Sequence, residues 1–233
     1  QDLQVARVVR EACATVPFWR ERLARHGVVP DDIRGVSDLV KLPVLTKEEV
    51  RAHGAALVAP ALRANALTSY TSGSTGTPLT VWSTPDAVAF QWAVWWRFRG
   101  RFGCRPGDWF LQTTGRPVAP LTQTAPPYWR TNHFGHQWLA GSVHITPSKV
   151  RDLTGFLARI RPRFWCGYPS HYGALSRLAL DAGLELPPAA RPPMVFLGAE
   201  PLLGAQAANI AEWTGARLAE QYGMTEMAGN ASQ

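Results

Sequence analysis

"RFWCGYPSHYGALSRLALDAG", residues 163–183, is the stretch on which the fold turns. Phe164, Trp165 and Cys166 make a short apolar run closed by Gly167 and Pro169, which reads as a buried strand. From Ser170 the Ala- and Leu-rich run to Gly183 reads as a helix. The same alternation continues on both sides. Upstream, "DWFLQT" (108–113) and "GSVHI" (141–145) read as strands and "TPSKVRDLTGFLARI" (146–160) as a helix. Downstream come a strand "MVFLGAE" (194–200), a helix "LLGAQAANIAEWTG" (202–215) and a last strand "ARLAEQYG" (216–223). Strands alternating with helices of this length predict βαβ units: an α/β fold with largely parallel sheets flanked by helices.

The N-terminal part reads differently. Residues 2–26 carry Val5, Val8, Val9, Ala12, Val16, Trp19 and Leu23 at three- and four-residue spacing, which predicts one amphipathic helix. A Pro- and Gly-punctuated connector follows, and Thr46 with Glu49 predicts a capping box at the start of a short helix. We divide the chain into a helical region with connector, residues 1–66, and an α/β portion, residues 67–233, of one large domain.

"SYTSGSTGTPLT" (69–80) lies between the strand-like "ALTSY" and "LTVW" and holds hydroxyls and glycines but no charge. A flexible linker is one reading of such a composition. The flanking strands favour a tight turn whose N–H and hydroxyl groups suit phosphate oxygens. It lacks the Lys of a Walker-type loop. "STPD" (83–86), with Pro85 in the first turn, predicts a helix that carries Phe90, Trp92, Trp95 and Trp96 and ends near Gly100. In parallel sheets ligands gather at the carboxyl ends of the strands, so "YTSGSTG", "GYPS" (167–170), "LGAEP" (197–201) and "YGMTE" (222–226) are expected at one rim.

Composition narrows the partners. The chain is 46% hydrophobic and 18% charged, as an ordered globular protein is, and carries +7 from 24 Lys and Arg against 17 Asp and Glu. The arginines are scattered, which argues against a nucleic-acid surface. In "WWRFRGRFGCR" (95–105) arginine stems laid beside buried Trp explain the pattern better than base stacking does. A mild positive field also suits an anionic substrate. Cys13, Cys104 and Cys166 are far apart, which predicts reduced thiols and a cytoplasmic setting. His133 and His136 form the one close His pair, without a nearby carboxylate to complete a metal site. No apolar run is of membrane length.

"YTSGSTGTP" and "YGMTE", in this order and joined by an α/β pattern, resemble the two signatures of the adenylate-forming superfamily of acyl- and aryl-CoA ligases, adenylation domains and luciferases. Leu79 stands where most members carry Lys. That departure, with "VPFWRERL" (16–23), "LPVLTKEEV" (42–50) and "LGAEPLL" (197–203), resembles the phenylacetate–CoA ligase branch. The resemblance implies ATP-dependent activation of a carboxylic acid to an acyl-adenylate, then thioester formation with coenzyme A. Transfer to an amine or hydroxyl, or a non-catalytic nucleotide-binding remnant, are the alternatives. Ten Trp residues fit an aromatic acid, and equally a heavy core.

The resemblance also implies residue roles. Thr71, Ser72, Gly73, Ser74, Thr75 and Gly76 would hold the β- and γ-phosphates. Tyr222 would stack on adenine, with Gly198, Ala199, Glu200 and Pro201 on its other side. Thr225 would bond the α-phosphate and Glu226 would ligate Mg²⁺; each also has an ordinary reading, Tyr222 as a strand aromatic and Glu226 as a solvated acid. Tyr168 and Pro169 would wall an acid pocket or serve a plain strand-to-helix turn, and His133 or Phe134 would gate it. The expected partners are a small-molecule carboxylic acid and a second copy of the chain, with no nucleic acid and no membrane. The family's ribose-binding Asp and its mobile C-terminal domain with a reactive Lys find no counterpart here, so the chain is expected to be the N-terminal portion of something longer.

Overall fold

The computed structural model describes residues 1–71, 78–227 and 230–232. Their contacts group into two compact units, one of the described residues up to Phe90 together with residues 225–227, the other of residues 91–224 with 230–232.

In the first unit, α1 (Asp2–Thr15) and α2 (Pro17–Arg25) replace the single helix expected over 2–26. Val16 is extended, at φ −117° and ψ 106°. Pro17 is the reason: its ring disfavours helical backbone at the residue before it, while its missing N–H is harmless at the first position of a new helix. The helix α3 (Lys47–His53) opens as expected, with Thr46 Oγ1 accepting from the Glu49 N–H and Glu49 Oε2 accepting from the Thr46 N–H. Glu49 also ties α3 to α2, since Arg22 donates to both its carboxylate oxygens at 2.5 and 3.2 Å and to the Val44 carbonyl at 2.6 Å. Strands β1 (Leu67–Tyr70) and β2 (Thr80–Ser83) pair antiparallel as a separate two-stranded sheet. The hydroxyl-rich loop therefore joins two strands of its own hairpin and does not follow a strand of the parallel sheet.

Helix α4 (Pro85–Gly100) starts where "STPD" predicts, with the Thr84 hydroxyl accepting from the Ala87 N–H at 3.2 Å. The second unit is built on seven strands: β3 (Phe110–Thr114), β4 (Trp129–Asn132), β5 (Gln137–Gly141), β6 (Phe164–Gly167), β7 (Met194–Gly198), β8 (Arg217–Gly223) and β9 (Asn230–Ser232). Their order is β4-β5-β3-β6-β7-β8-β9; the five inner strands run parallel, and β4 and β9 close the edges antiparallel. Helices α5 (Val150–Ile160), α6 (Pro169–Asp181) and α7 (Gly204–Thr214) complete the crossovers.

The side-chain period of two sorts the inner strands between two cores. Trp165, Val195 and Leu197 face Tyr172, Leu175, Ile210 and Trp213 of the crossover helices. Phe164, Cys166, Phe196 and Ala219 face Phe98 of α4. One expectation shifts: "GSVHI" is not a strand. Strand β5 ends at Gly141 and residues Ser142–His144 turn as a 3-10 helix, which buries His144 against the Tyr128 ring at 5.4 Å. All three cysteines are free and buried, and among the described residues no helix is long and apolar enough to cross a membrane.

Candidate functional site

Where β7 and β8 end, their carboxyl-terminal residues open a cavity of about 490 Å³ lined by Gly198–Pro201, Glu220–Gly223, Ala231 and Ser232. The parallel β7–β8 register, Gly198 opposite Gln221, sets Tyr222, the first residue of "YGMTE", beside the end of β7 that opens "LGAEP", which sequence separates by a whole helix. Gly198 is required there: a Cβ would stand 2.3 Å from the Gln221 carbonyl oxygen. Ala199 takes a left-handed φ of 70°, which turns the chain out of β7 over the cavity. Tyr222, which lines the cavity, leaves 61% of its surface exposed.

Glu200 is held from the side. Its Oε1 accepts the Ser170 N–H at 2.5 Å at the start of α6, where unpaired N–H groups favour a carboxylate. Next to it, His171 lies against the Tyr168 ring at 4.6 Å, and burial pushes the imidazole below its ordinary range against the opposing pull of Glu200. Tyr168 is half-buried at the carboxyl end of β6, on the same rim as the cavity. Pro169 is buried as the first residue of α6, its ring part of the helix start.

His133 and Phe134 stand elsewhere. They form the tip of the β4–β5 hairpin, where Gln137 pairs with Phe110, the first residue of β3, and where the Phe110 N–H donates to the His136 carbonyl at 3.0 Å. That tip is at the amino-terminal end of the parallel strands, opposite Tyr168, Gly198 and Tyr222. Phe134 is 99% exposed, and His133 and His136 pack edge-on to Trp109.

Of the hydroxyl-rich loop, Thr71 is described and Ser72, Gly73, Ser74, Thr75 and Gly76 lie outside the described residues. Thr71 closes the neck of the loop: its N–H donates to the Leu79 carbonyl at 3.0 Å and its Oγ1 accepts from the Leu79 N–H at 2.9 Å. Thr225 is half-buried and Glu226 exposed, in the turn that follows β8. Among the described residues no group of three or more His, Cys, Asp or Glu could hold a metal ion. The sequence reading missed Glu220, Gln221, Gly223, Ala231 and Ser232 as lining residues. Strand alternation already puts Glu220 on the Tyr222 side of β8, whereas Ala231 and Ser232 belong to an edge strand that no sequence signal announces.

The family model of AMP-binding enzymes matches residues 4–233. The chain belongs to the AMP-binding enzyme family. As a member of that adenylate-forming family it is similar to a phenylacetate-coenzyme A ligase of Thermus thermophilus, 26% identical over 230 residues, 98% of this chain and 50% of that protein. Solved structures of 2-hydroxyisobutyryl-CoA ligase share its fold: an open conformation with 2-HIB-AMP and CoA superposes with a TM-score of 0.67 at 21% identity, over 96% of this chain and 49% of that one. The thioesterification state of the same ligase gives 0.68 at 21% identity, over 96% and 48%. The family member described here thus spans about half the length of the relatives it matches.

Proposed function

We propose that the whole protein is an ATP-dependent acid–coenzyme A ligase and that this chain is its nucleotide-binding portion. The observation that carries this reading is the cavity at the ends of β7 and β8, which sets the exposed Tyr222 ring beside the Gly198–Pro201 turn. Adenine stacks on Tyr222, with Gly198, Ala199, Glu200 and Pro201 on the opposite side. Thr71, Ser72, Gly73, Ser74, Thr75 and Gly76 offer N–H and hydroxyl donors to the β- and γ-phosphates, and the Thr225 hydroxyl donates to the α-phosphate.

The reaction asks for donors rather than a protein nucleophile. The acid's own carboxylate attacks the α-phosphorus and pyrophosphate leaves, so charge builds on phosphate oxygens. Glu226 fits Mg²⁺ by its chemistry: it is an exposed hard-oxygen donor, and that ion is commonly held by one or two carboxylates together with substrate phosphates. When bound there, Mg²⁺ supplies neutralisation of the phosphate charge. Without it Glu226 would repel the phosphates, because a carboxylate only accepts hydrogen bonds.

Two finer points belong to the same proposal. An aromatic acid is supported by the likeness to a phenylacetate-coenzyme A ligase and by Tyr168 at the carboxyl end of β6, next to β7. Coenzyme A as acceptor is supported by the relatives' names, with an amine or hydroxyl as the second reading. A pyrophosphate-release screen of the whole protein across aryl and alkyl acids, with and without coenzyme A, tests both. ATP-dependent release with an aryl acid and thioester only with coenzyme A is expected; release with no acid overturns the reading. In that assay Glu226→Gln should lower adenylate formation about tenfold or more and raise the Mg²⁺ requirement, the loss of roughly one charge-assisted contact. Parental rates at low Mg²⁺ would remove Glu226 from the metal.

A further inference from the structure

One side of the cavity hangs on a slender element. Strand β9 is three residues long, all exposed, and pairs on one side only, with β8: Gly223 opposite Asn230, Tyr222 opposite Ala231, Gln221 opposite Ser232. Ala231 and Ser232 line the cavity beside Tyr222. So short an edge strand buries too little apolar surface to hold its own place.

What holds it is an amide clamp from α4. Gln91 and Trp95 stand one helical turn apart on the same face. The Trp95 indole Nε1 donates to Asn230 Oδ1 at 3.0 Å, and Asn230 Nδ2 donates to Gln91 Oε1 at 2.5 Å. An indole N–H can only donate, so the carboxamide oxygen of Asn230 must face Trp95 and its NH₂ must face Gln91. Both ends of the side chain are therefore committed in one orientation. Gln91 is only 7% exposed, so an unmet amide there is costly. The fit is close on the β8 side too: a Cβ on Gly223 would come within 2.8 Å of the Trp95 ring and 3.4 Å of Gln91 Nε2.

We infer that Gln91 and Asn230 are positioning residues for the nucleotide cavity: by clamping β9 to α4 they fix the wall that Ala231 and Ser232 form beside Tyr222. This rests on the reading of the cavity as the adenine site. Neither residue touches the nucleotide in this assignment; each acts through β9.

The test compares the parent chain with Gln91→Ala, Asn230→Ala, the double variant, and the exchanged pair Gln91→Asn with Asn230→Gln. Two quantities are read for each: AMP affinity by calorimetry, and amide hydrogen exchange of residues 230–232 against Val195 and Phe196 of the core. Each single variant should exchange faster at residues 230–232, with Val195 and Phe196 unchanged. Each should also raise the AMP Kd by about tenfold, the loss of one to two hydrogen bonds. The double variant should be no weaker than either single one, because both remove the same clamp. The exchanged pair, with its combined side-chain length restored, should recover part of the affinity, which a general loss of stability would not. A parent that binds AMP and variants that bind it equally overturn the inference, whatever the exchange shows. A parent that fails to bind AMP while residues 230–232 stay protected overturns the adenine reading itself, and the positioning role with it.

Discussion

Tyr222 and Gly198 face one cavity and are limited by opposite things, one by what it must contact and the other by what it must leave empty. The Tyr222 ring is open to solvent, so truncation removes contact surface without leaving a hole in the core. Tyr222→Ala should weaken AMP binding by roughly 1–3 kcal/mol, the range for stacking on a base, with the thermal midpoint nearly unchanged. Equal affinity in calorimetry would make Tyr222 an ordinary strand residue. Gly198 is the reverse. A side chain there meets the Gln221 carbonyl at 2.3 Å, and backbone in mid-sheet cannot move aside. Gly198→Val should therefore pry β7 from β8, lowering thermal stability and AMP affinity together; a variant that melts like the parent would show that the strands have room to shift. Both residues were legible, because the motifs that contain them resemble known signatures. The reason Gly198 must be Gly was not, since it lies in a contact with residue 221.

Local elements show where short-range reading succeeds and where it stops. The Thr46–Glu49 box was readable because every group in it lies within four residues. The break at Val16 was readable in principle from Pro17, but the three- and four-residue spacing runs through it and masked it. Glu49 does more than cap: the Arg22 guanidinium beside it, with the Thr46 N–H, holds its carboxyl down at about 2 from an ordinary 4.5. A carboxyl depressed by folding contributes stability that is complete above its unfolded value and lost as pH falls. The window for Glu49 thus runs from 4.5 down to about 2. Glu49→Gln should flatten the acid-side loss of structure across that window, read by amide exchange in α2 and α3 against pH. An unchanged profile would show that Arg22 finds equal partners elsewhere.

At the scale of the whole sheet, the cation buried between α4 and the strands is the feature that sequence weighs least. Arg99 is 2% exposed, with its guanidinium 5.2–5.8 Å from the ring centres of Trp95, Trp96, Phe110, Phe164 and Phe196. Its Nη2 donates to Cys166 Sγ at 3.1 Å, while Nε and Nη1 have no hydrogen-bond partner among the described residues. Ring faces return part of the desolvation cost, of order 2 kcal/mol for a desolvated contact. An ion that buries without a carboxylate loses several kcal/mol of hydration, so desolvation wins. Arg99→Met should be neutral or stabilising by about 1–4 kcal/mol in urea unfolding. A clear loss of stability would mean that the five rings together outweigh hydration. The reading laid arginine stems beside buried Trp; Trp95 and Trp96 are only half-buried, and at Arg99 it is the charged head that is buried, a property of the packed sheet.

The order of strands and helices from Phe164 to Gly223 was legible in the sequence itself, because β6 and β7 are buried on both faces and read as short apolar runs closed by Gly167 and Gly198, while β8 alternates buried and exposed residues up to Gly223. The two motifs and the family followed from residues adjacent in the chain. Tertiary structure alone decided which motifs meet. It joined Gly198–Pro201 to Tyr222 through the β7–β8 register, set the hydroxyl-rich loop on a hairpin of its own, and carried His133 and Phe134 to the opposite end of the strands from Tyr168. It also supplied the edge strands β4 and β9, whose polar residues carry no burial signal and which form only because a neighbouring strand, and for β9 an amide clamp, is there to receive them. Local sequence fixes what each segment can bury; which end of a sheet a loop reaches depends on strand order and direction, and those are set by contacts between residues far apart in the chain.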